Sequence, residues 1–439
     1  MTKEELKARV VQVVDSRAGD IQELADDIFR HPELGYKEFR TSGLVQRKFV
    51  ELGLPFRSGL AITGVKARRE GPRRGPTVAV LGELDAVVCP GHPQADPATG
   101  AAHACGHHGQ IAAMYGAAAG LCLSGAFQHL SGTVVFMAVP AEEYVEIEYR
   151  HRLRQEGKIR FIGGKQELLA LGEFDDVDMA MMVHQGSLAE GKQAVVGGTS
   201  NGFLGKLVRY RGVEAHAGGA PHAGVNALNA AMLGLTGVHM LRETFRDEDS
   251  IRVHPIITKG GDLVNVVPAD VRVETYVRGR TMAAILDANG KVNRALLAGA
   301  SALGAQVEVT ELPGYLPRVS APALDQLFKA NLVALVKKEA VVEGGHGAGS
   351  SDMGDLMHVM PGIHPSIGGC RGRAHSEEFQ VYDGELAYLV PAKAMAMTVV
   401  DLLWDQAGVA KRILKKWKPL YSREGYFQMW DEIVGRAGS

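Results

Sequence analysis

The sequence predicts an α/β protein in which a mostly parallel sheet, covered by helices on both faces, is interrupted by a smaller α+β module. Short runs that are apolar throughout, such as TVAVLGEL (77–84) and GTVVFMAVP (132–140), alternate with helical patterns, as in doubly covered parallel sheets. Between residues 198 and 312, strands instead alternate apolar and polar residues, as half-exposed strands do. A chain of 439 residues is long enough for both units.

The elements of the parallel sheet come from both ends of the chain. Residues 4–53 carry helical periodicity that breaks at HPELG. IAAMYGAAAGLCL (111–123) predicts a helix between the two apolar strands, and VDMAMMVH (177–184) predicts a third strand. The alternation of helices and apolar strands resumes after residue 320, with a helix in DQLFKANLVALVKKEA, a short strand in HPSIGG and a long helix in ELAYLVPAKAMAMTVVDLLW.

The interrupting segment has the order strand, helix, strand, strand, helix, strand. Its strands are predicted in GFLGKLVRYRG, SIRVHPIITKG, DVRVETYVRG and AQVEVTEL. This order fits a ferredoxin-like module with helices on one face of its sheet. We therefore predict a discontinuous α/β domain, residues 1–197 and 313–439, and a smaller inserted domain, residues 198–312.

Composition excludes several classes of function. The net charge of −2 provides no field to attract nucleic acid or an anionic membrane. The charged N-terminus lacks the apolar core of a secretory signal, and we identify no run near the roughly 20 apolar residues of a membrane span. Four cysteines in a chain of this length do not form a disulfide framework. We expect a cytoplasmic protein with reduced thiols.

Side chains that bind metals or transfer protons follow several predicted strands. Glu83 and Asp85 follow the first apolar strand and point the same way. Cys105 and His107, in HACGHHGQ, begin the following helix, where the helix N-terminus favours a thiolate. Active sites of open α/β sheets lie at the carboxyl ends of the strands, so these residues are candidates for one site.

Further candidates follow two later strands and the closing loop. Glu142 and Glu143 come directly after the strand in GTVVFMAVP, His184 ends the next strand, and His375 lies in GRAHSEEF. Two adjacent carboxylates suggest different roles, with one binding metal and the other acting as general base. Taken singly, a strand-end histidine, a Cys-x-His pair or a Glu-Glu pair is more often a solvated or hydrogen-bonded turn. As a set, these residues suit two transition metals such as zinc or manganese.

The same motifs resemble a known family over nearly the whole chain. The sequence is similar to the metallopeptidase-related amidohydrolases that include carboxypeptidase G, the aminoacylases, the auxin-conjugate hydrolases and aminobenzoyl-glutamate hydrolase. The matching motifs are HPELGYKE, GELDAVV, HACGH, PAEE, RGVEAHAGGAPHAGVNAL, GGDLVNVVPADVRVETYVR, SSDMGDL and AHSEEF.

The resemblance implies roles for individual residues. The implied metal ligands are Cys105, His107, Glu143, His184 and His375, which would hold one or two Mn²⁺ or Zn²⁺ ions, or Co²⁺. Glu142 is implied as general base acting on a metal-activated water. His216 matches a histidine that reaches a neighbouring subunit's active site and stabilises the oxyanion, while Asn265 and Arg278 match substrate-binding positions. The family commonly dimerises through the inserted domain, so a homo-oligomer is implied, with a small-molecule substrate and neither nucleic acid nor membrane as partner.

The leading hypothesis for the reaction is hydrolysis of a carbon–nitrogen bond, the amide of an N-acyl or N-aroyl amino acid or of a dipeptide-like compound. A second hypothesis keeps the activated water but replaces the amino group of an activated aromatic amine, as in nitroanthranilate-type deamination. A third is a non-catalytic binding protein that has kept the fold, against which the intact Glu142–Glu143 pair argues.

The chain departs from the family pattern at three places. His108 stands where an Asp or Asn is usual, so we expect a supporting role for it and weaker metal affinity or one empty metal position. Gln110 replaces a histidine found in many relatives. The segment 144–170 is long and charged, and it either lines a specialised pocket or forms a solvated helical excursion at a subunit contact, which we favour. His364 is interpreted as structural rather than as a ligand.

Overall fold

The computed structural model describes residues 1–435 of the chain. The main sheet has six strands in the spatial order Phe56–Leu60, Gly64–Glu70, Ser131–Val139, Arg73–Glu83, Met179–Met181 and Gly362–Ile363. The last four strands are parallel to one another, and the first two pair antiparallel. The structure therefore has the predicted mixed α/β architecture with a mostly parallel sheet.

Both faces of the main sheet are buried. Along the central strand Arg73–Glu83, Val78 and Val80 lie in one apolar core, whereas Ala79 and Leu81 lie in another. The first core includes residues of the helices Lys3–Ser16, Ala18–Arg30, Phe39–Glu51, His107–Leu123, Pro322–Val333, Val390–Leu403 and Gly408–Lys416. The second core includes residues of the helices Ile147–Gln155, Gly164–Ala170, Met353–Val359 and Arg423–Gly435.

A second sheet lies within residues 202–312. Its first three strands, in spatial order, are Gln306–Leu312, Gly202–Arg211 and Asp270–Gly279. The short strands Arg252–Val253 and Ile256–Lys259 both pair with Asp270–Gly279. All of these pairings are antiparallel, and the helices Ala227–Met240 and Met282–Ala302 share an apolar core with the sheet. The order of elements is the one predicted from the sequence, while the domain boundaries remain a prediction.

Several short strands form smaller sheets beside the two larger ones. A four-stranded sheet has the order Val341–Glu343, Ala194–Val196, Ser366–Ile367 and His184–Gln185. The two-stranded pairs are Val87–Val88 with Ala101–Ala102, Thr199–Ser200 with His346–Gly347, and Cys370–Arg371 with Gln380–Val381. Single 3₁₀ turns span Ala126–Gln128, Pro221–Ala223, Leu241–Thr244, Asp247–Asp249 and Lys338–Ala340.

Three predicted elements differ from the structure. The strand expected over 250–260 is divided into Arg252–Val253 and Ile256–Lys259. The third strand, expected over 177–184, is divided into Met179–Met181 in the main sheet and His184–Gln185 in the four-stranded sheet. The helix expected from residue 325 to 340 is Pro322–Val333 instead. Proline is well suited to the first turn of a helix, because its missing N–H would have no intrahelical partner there.

The helical stretch Glu385–Leu403 differs from the expectation about membrane spans. At 19 residues, it is long and apolar enough to cross a bilayer, although no such segment was expected from the sequence. Its most apolar part is wholly buried inside the protein, and it packs against the helix His107–Leu123. All four cysteines are unpaired, as expected.

Candidate metal centre

Cys105 and His107 lie at the start of the helix His107–Leu123. Gly106 between them has φ +94°, the left-handed region that favours glycine, and an added Cβ would lie only 3.0 Å from Cβ of Gln185. The buried His107 ring has its Nδ1 2.9 Å from the carbonyl oxygen of Asp85 and 3.2 Å from its carboxylate. Both oxygens accept hydrogen bonds, so Nδ1 carries a hydrogen and Nε2 is the nitrogen free to bind a metal.

The surroundings of His107 Nε2 attract positive charge. This atom lies 3.1 Å from Oε2 of Glu83 and 3.8 Å from Oε2 of Glu142, yet it makes no hydrogen bond with the part of the chain that the structure describes. Burial lowers the pKa of His107, but the charges of Glu83 and Cys105 raise it well above its ordinary value. A cation is therefore favoured at this nitrogen, and a divalent metal fits that requirement.

Asp85 also positions the carboxylate pair that follows the strand Ser131–Val139. Its Oδ2 accepts a 2.8 Å hydrogen bond from the backbone N–H of Glu143. The preceding Ala141 has φ +54°, a conformation uncommon for residues other than glycine and often found at functional sites. Oε1 of Glu143 lies 3.0 Å from Nε2 of His375.

Two histidines approach the Cys105 thiol from distant parts of the chain. Nε2 of His184 is 3.5 Å from Sγ, and Nε2 of His375 is 3.3 Å from the same atom. Nδ1 of His184 contacts the carbonyl oxygen of Gln185 at 2.7 Å, which leaves Nε2 directed at the sulfur. His375 has φ +61°, and its N–H donates to the carbonyl of Ala104 at 2.8 Å, so its loop is held next to the cysteine.

The five residues that the resemblance implied as ligands come together in two groups. Within each group the potential ligand atoms all lie within 4.8 Å of one another. One group is Cys105, His107 and His184, and the other is Cys105, Glu143 and His375. A thiolate shared between two metals would make this a dinuclear centre, with imidazole and carboxylate ligands that suit zinc or manganese.

The protonation states suit metal binding. Burial and the Glu143 charge raise the pKa of the Cys105 thiol, but His184 and His107 outweigh them and lower it to about 6. Burial likewise raises the pKa of Glu143, and the charge of His375 lowers it to about 2. A thiolate and a carboxylate are thus both available at neutral pH.

The pKa of Glu142 is shifted in the opposite direction to that of Glu143. Burial, followed by the charges of Glu83 and Glu143, raises the pKa of Glu142 well above its ordinary value. It lies in a third compact group with Glu83 and His107, outside the two groups that share the cysteine. An uncoordinated carboxyl group with a raised pKa is suited to accept and return a proton.

These residues open onto a cavity of about 640 Å³, a size typical of small-molecule sites. Arg278, a predicted substrate-binding residue, lines this cavity, where it donates to His254 Nε2 and to Ser350 Oγ, each at 3.0 Å. The predicted His216 and Asn265 do not line it. Both are exposed and contact each other, with 3.3 Å between Nε2 and Nδ2. The structure therefore brings together seven of the nine predicted site residues within this subunit.

His108 points away from the metal-binding groups. Its Nε2 contacts the hydroxyl of Tyr388 at 3.2 Å, and its ring packs against Phe29 and His103. Burial and the charge of His107 lower the pKa of His108 to about 3, so the ring is neutral. The supporting role expected for this residue agrees with these contacts, whereas weaker metal affinity and incomplete occupancy remain predictions.

A buried lysine lies behind the centre and was not identified from the sequence. The ammonium group of Lys165 pairs with the carboxylate of Glu83 and, at 2.5 Å, with that of Asp352. Gln110, which replaces a histidine of many relatives, donates to Oε2 of Glu83 at 2.7 Å. Glu83 is consequently held by three residues, including its neighbour His107.

The long segment 144–170 matches neither of its two interpretations fully. The charged residues suspected of lining a pocket are absent from the residues described around the cavity; Glu146 pairs with Lys37, and Glu148 lies near Arg272. Arg150 is wholly buried and donates to the carbonyl oxygens of Ala141 and Ile162, each at 3.3 Å. Residues 161–169 are buried beneath the site, whereas residues 152 and 155–158 are exposed to solvent, so the subunit contact stays a prediction.

Comparison with known proteins identifies the family of the chain. The model of Peptidase family M20/M25/M40 matches residues 79–399. An Xaa-Arg dipeptidase of Mus musculus is 30% identical over 430 residues, which cover 92% of this chain and 90% of the relative. An IAA-amino acid hydrolase of Arabidopsis thaliana is 26% identical over 381 residues, covering 82% of this chain and 81% of the relative.

Solved structures share the fold. A dinuclear metal-binding peptidase of the M20 family from Bacillus subtilis has a TM-score of 0.64 at 22% identity, covering 89% of this chain and 99% of that structure. An aminobenzoyl-glutamate utilization protein from Klebsiella pneumoniae has a TM-score of 0.68 at 21% identity, covering 90% and 98%. With a family match over most of its length and a relative of 30% identity over nine-tenths of it, the chain belongs to Peptidase family M20/M25/M40.

Proposed function

We propose that this protein is a metal-dependent hydrolase that cleaves the amide C–N bond of an N-acyl or N-aroyl amino acid or of a dipeptide-like compound. The observation that carries the proposal is the position of Cys105, whose thiolate belongs to two potential ligand groups, with the carboxylate of Glu142 next to them in a third group. The relatives named Xaa-Arg dipeptidase and IAA-amino acid hydrolase support this class of substrate.

The proposed ligands are Cys105, His107, Glu143, His184 and His375. When bound there, one or two divalent ions, Mn²⁺ or Zn²⁺ with Co²⁺ as a further choice, would polarise the scissile carbonyl and lower the pKa of a nearby water. Glu142 takes the proton from the attacking water and passes it to the leaving nitrogen. Asp85 orients two of the ligands, since it contacts both the His107 ring and the Glu143 backbone. Arg278 holds the carboxylate of the substrate.

A substrate screen tests the proposal. Protein reconstituted with manganese, zinc or cobalt is incubated with a panel of N-acyl amino acids, N-aroyl amino acids and dipeptides, and products are identified by mass. Release of an amine together with an acid supports the proposal. Release of ammonia alone from an activated aromatic amine would instead support the deamination hypothesis, and no turnover with any metal would support a non-catalytic role.

We further propose that the site is completed by a second subunit through the module that contains the second sheet. His216 and Asn265 are exposed and lie outside the cavity, although both match family positions near the substrate. The same module exposes large apolar side chains, as an interface does: Met232, Leu233, Met240, Ile256, Ile257, Leu263 and Val264.

Mixing two inactive variants tests this arrangement. Each variant alone lacks one of the two functional residues, and the test uses hybrid dimers of His216→Ala and Glu142→Gln subunits. If His216 serves the neighbouring subunit, random mixing restores about a quarter of wild-type activity, because half of the dimers are hybrids with one working site each. If His216 serves its own subunit, the mixture stays inactive.

A further inference from the structure

Arg318 is a cation in the cavity without a carboxylate partner. Its Nε donates to Ser200 Oγ at 3.0 Å, and its Nη1 donates to Nδ1 and to the carbonyl oxygen of His364, both at 2.9 Å. The second terminal nitrogen has no hydrogen bond with the described residues, and no carboxylate of residues 1–435 forms an ion pair with this guanidinium. A largely buried cation with only neutral partners is costly unless an anion joins it.

His364, which Arg318 contacts, also lines the cavity and has a polar atom without a hydrogen-bond partner. Because Arg318 donates to Nδ1, the ring hydrogen of neutral His364 lies on Nε2. That nitrogen is buried and has no hydrogen-bond partner within the described part of the chain. The ring lies beside that of His184, with 5.5 Å between the ring centroids. A buried N–H donor without a partner indicates that an acceptor is missing from this place.

The remaining charges of the cavity have the same sign. Among residues 1–435, Arg278 forms hydrogen bonds with His254 and Ser350 alone, and Arg252 is an exposed residue of the cavity lining. Within the described part of the chain, the carboxylates that line the cavity are those of Glu142 and Glu143, which the proposed reaction uses. Outside the metal centre, the cavity is therefore cationic.

We propose that Arg318 and His364 form a second anion-binding subsite, so that the preferred substrate carries two carboxylates, as the amide of a dicarboxylic amino acid does. One carboxylate faces Arg278, and the other accepts hydrogen bonds from the free N–H of Arg318 and from Nε2 of His364. This inference rests on the proposed function and specifies its substrate class. A substrate with a basic side chain would add a cation to an already cationic cavity, so the preference in the name of the mouse relative is not expected here.

A pair of substrates that differ by one charge tests the subsite. Reconstituted enzyme is assayed with N-benzoylglutamate and N-benzoylglutamine, which have nearly the same shape. We expect wild-type kcat/KM to favour the glutamate by about tenfold or more, as loss of a charged hydrogen-bond acceptor typically costs. Arg318→Gln should remove most of that preference through KM, while the rate with the glutamine substrate changes by less than about threefold.

Two further variants serve as controls. Arg246→Gln makes the same substitution at a largely solvated arginine outside the cavity. It should leave the preference for the glutamate substrate unchanged. Arg318→Lys keeps the charge and should retain part of the preference, which distinguishes loss of charge from a folding defect. Metal content and thermal melting of each variant are measured alongside.

The outcomes separate this inference from the proposed function. If wild type cleaves both substrates equally well, or if Arg318→Gln slows both equally, the subsite is refuted while amide hydrolysis stands. If the enzyme cleaves neither substrate and no other amide of the wider panel, the proposed function fails and this inference fails with it. Selective loss of the glutamate preference in Arg318→Gln, retained in part by Arg318→Lys, supports the subsite.

Discussion

Replacing Lys165 with methionine should be among the most destabilising single changes behind the metal centre. The lysine side chain has no solvent exposure, and it contacts Glu83 and Asp352, which are also buried. Its backbone N–H donates to the second oxygen of Asp352 at 2.9 Å. Methionine has a similar shape but no charge, so the substitution leaves two buried carboxylates without their cation.

The expected loss follows from these contacts. At an effective dielectric constant of about 20, unit charges about 3 Å apart interact by roughly 5–6 kcal/mol, and Lys165 makes two such pairs. Desolvation of the ammonium offsets several kcal/mol of that sum, and breaking a buried pair by removing one partner typically costs about 3–5 kcal/mol. We therefore expect the free energy of unfolding to fall by about 3–5 kcal/mol at pH 8.

The loss should depend on pH. Burial raises the pKa of Asp352 to about 6 even though Lys165 lowers it, so removing the lysine raises it further. An acid with a raised pKa in the folded state stabilises the fold below its unfolded pKa of about 3.9 and loses that contribution as pH rises through the folded pKa. The deficit of Lys165→Met should accordingly be smaller at pH 5 than at pH 8.

Urea unfolding of metal-free protein, followed by circular dichroism and tryptophan fluorescence, measures this difference when the two transitions coincide. Lys291→Met is the matched control, because Lys291 pairs at 2.7 Å with Asp287, whose side chain is 67% exposed. Such a pair contributes about 0.3–0.5 kcal/mol. A Lys165→Met deficit within about 1 kcal/mol of the control would refute the reasoning.

Three other predictions concern the centre itself. Glu142→Gln should reduce kcat by at least about 10²-fold, as expected for loss of a general base, while metal content measured by mass spectrometry stays at the wild-type value; near-normal turnover would show that the base is another residue. In metal-free protein, the rate of alkylation of Cys105 should rise through about pH 6 as its thiolate forms, and added metal should protect it. Cys122, whose pKa is raised by burial to about 11, should stay unreactive at neutral pH. Equal labelling of both thiols would contradict this prediction. His108→Gln should leave the metal-to-protein ratio unchanged, because the ring contacts Tyr388 rather than the ligand groups, and a lower ratio would assign His108 a part in metal binding.

Periodicity in the sequence was sufficient to predict most of the fold. Apolar runs that alternate with helices predicted the strands Arg73–Glu83 and Ser131–Val139, and strand-end positions predicted which side chains would meet. Glu143 lies where expected because it follows a parallel strand of the main sheet, whereas His184 lies in a separate short sheet and His375 in a loop, so the rule for strand ends explains only part of the convergence. His107 and His108 could also have been told apart in advance, since successive residues of a helix point about 100° away from each other.

The charged network behind the site could not be predicted in this way. Lys165 is 82 positions from Glu83 and 187 positions from Asp352, and nothing in its local sequence marks it as buried. The same holds for Arg318, whose contacts with Ser200 and His364 span 118 and 46 positions. Local patterns carry information about which face of an element is buried, but the partner of a buried charge depends on tertiary contacts.

The helix His107–Leu123 has almost no solvent-exposed face, and this limits how the enzyme can vary. Residues His107 to Leu121 are all buried, and an added Cβ at Gly116 or Gly120 would approach Ile21 or Val14 to within 3.0 Å. A change of side-chain size here shifts the packing that fixes His107, so stability and activity are altered together. New specificities should consequently arise in the loops and strand ends that line the cavity, while this helix accumulates few substitutions during evolution.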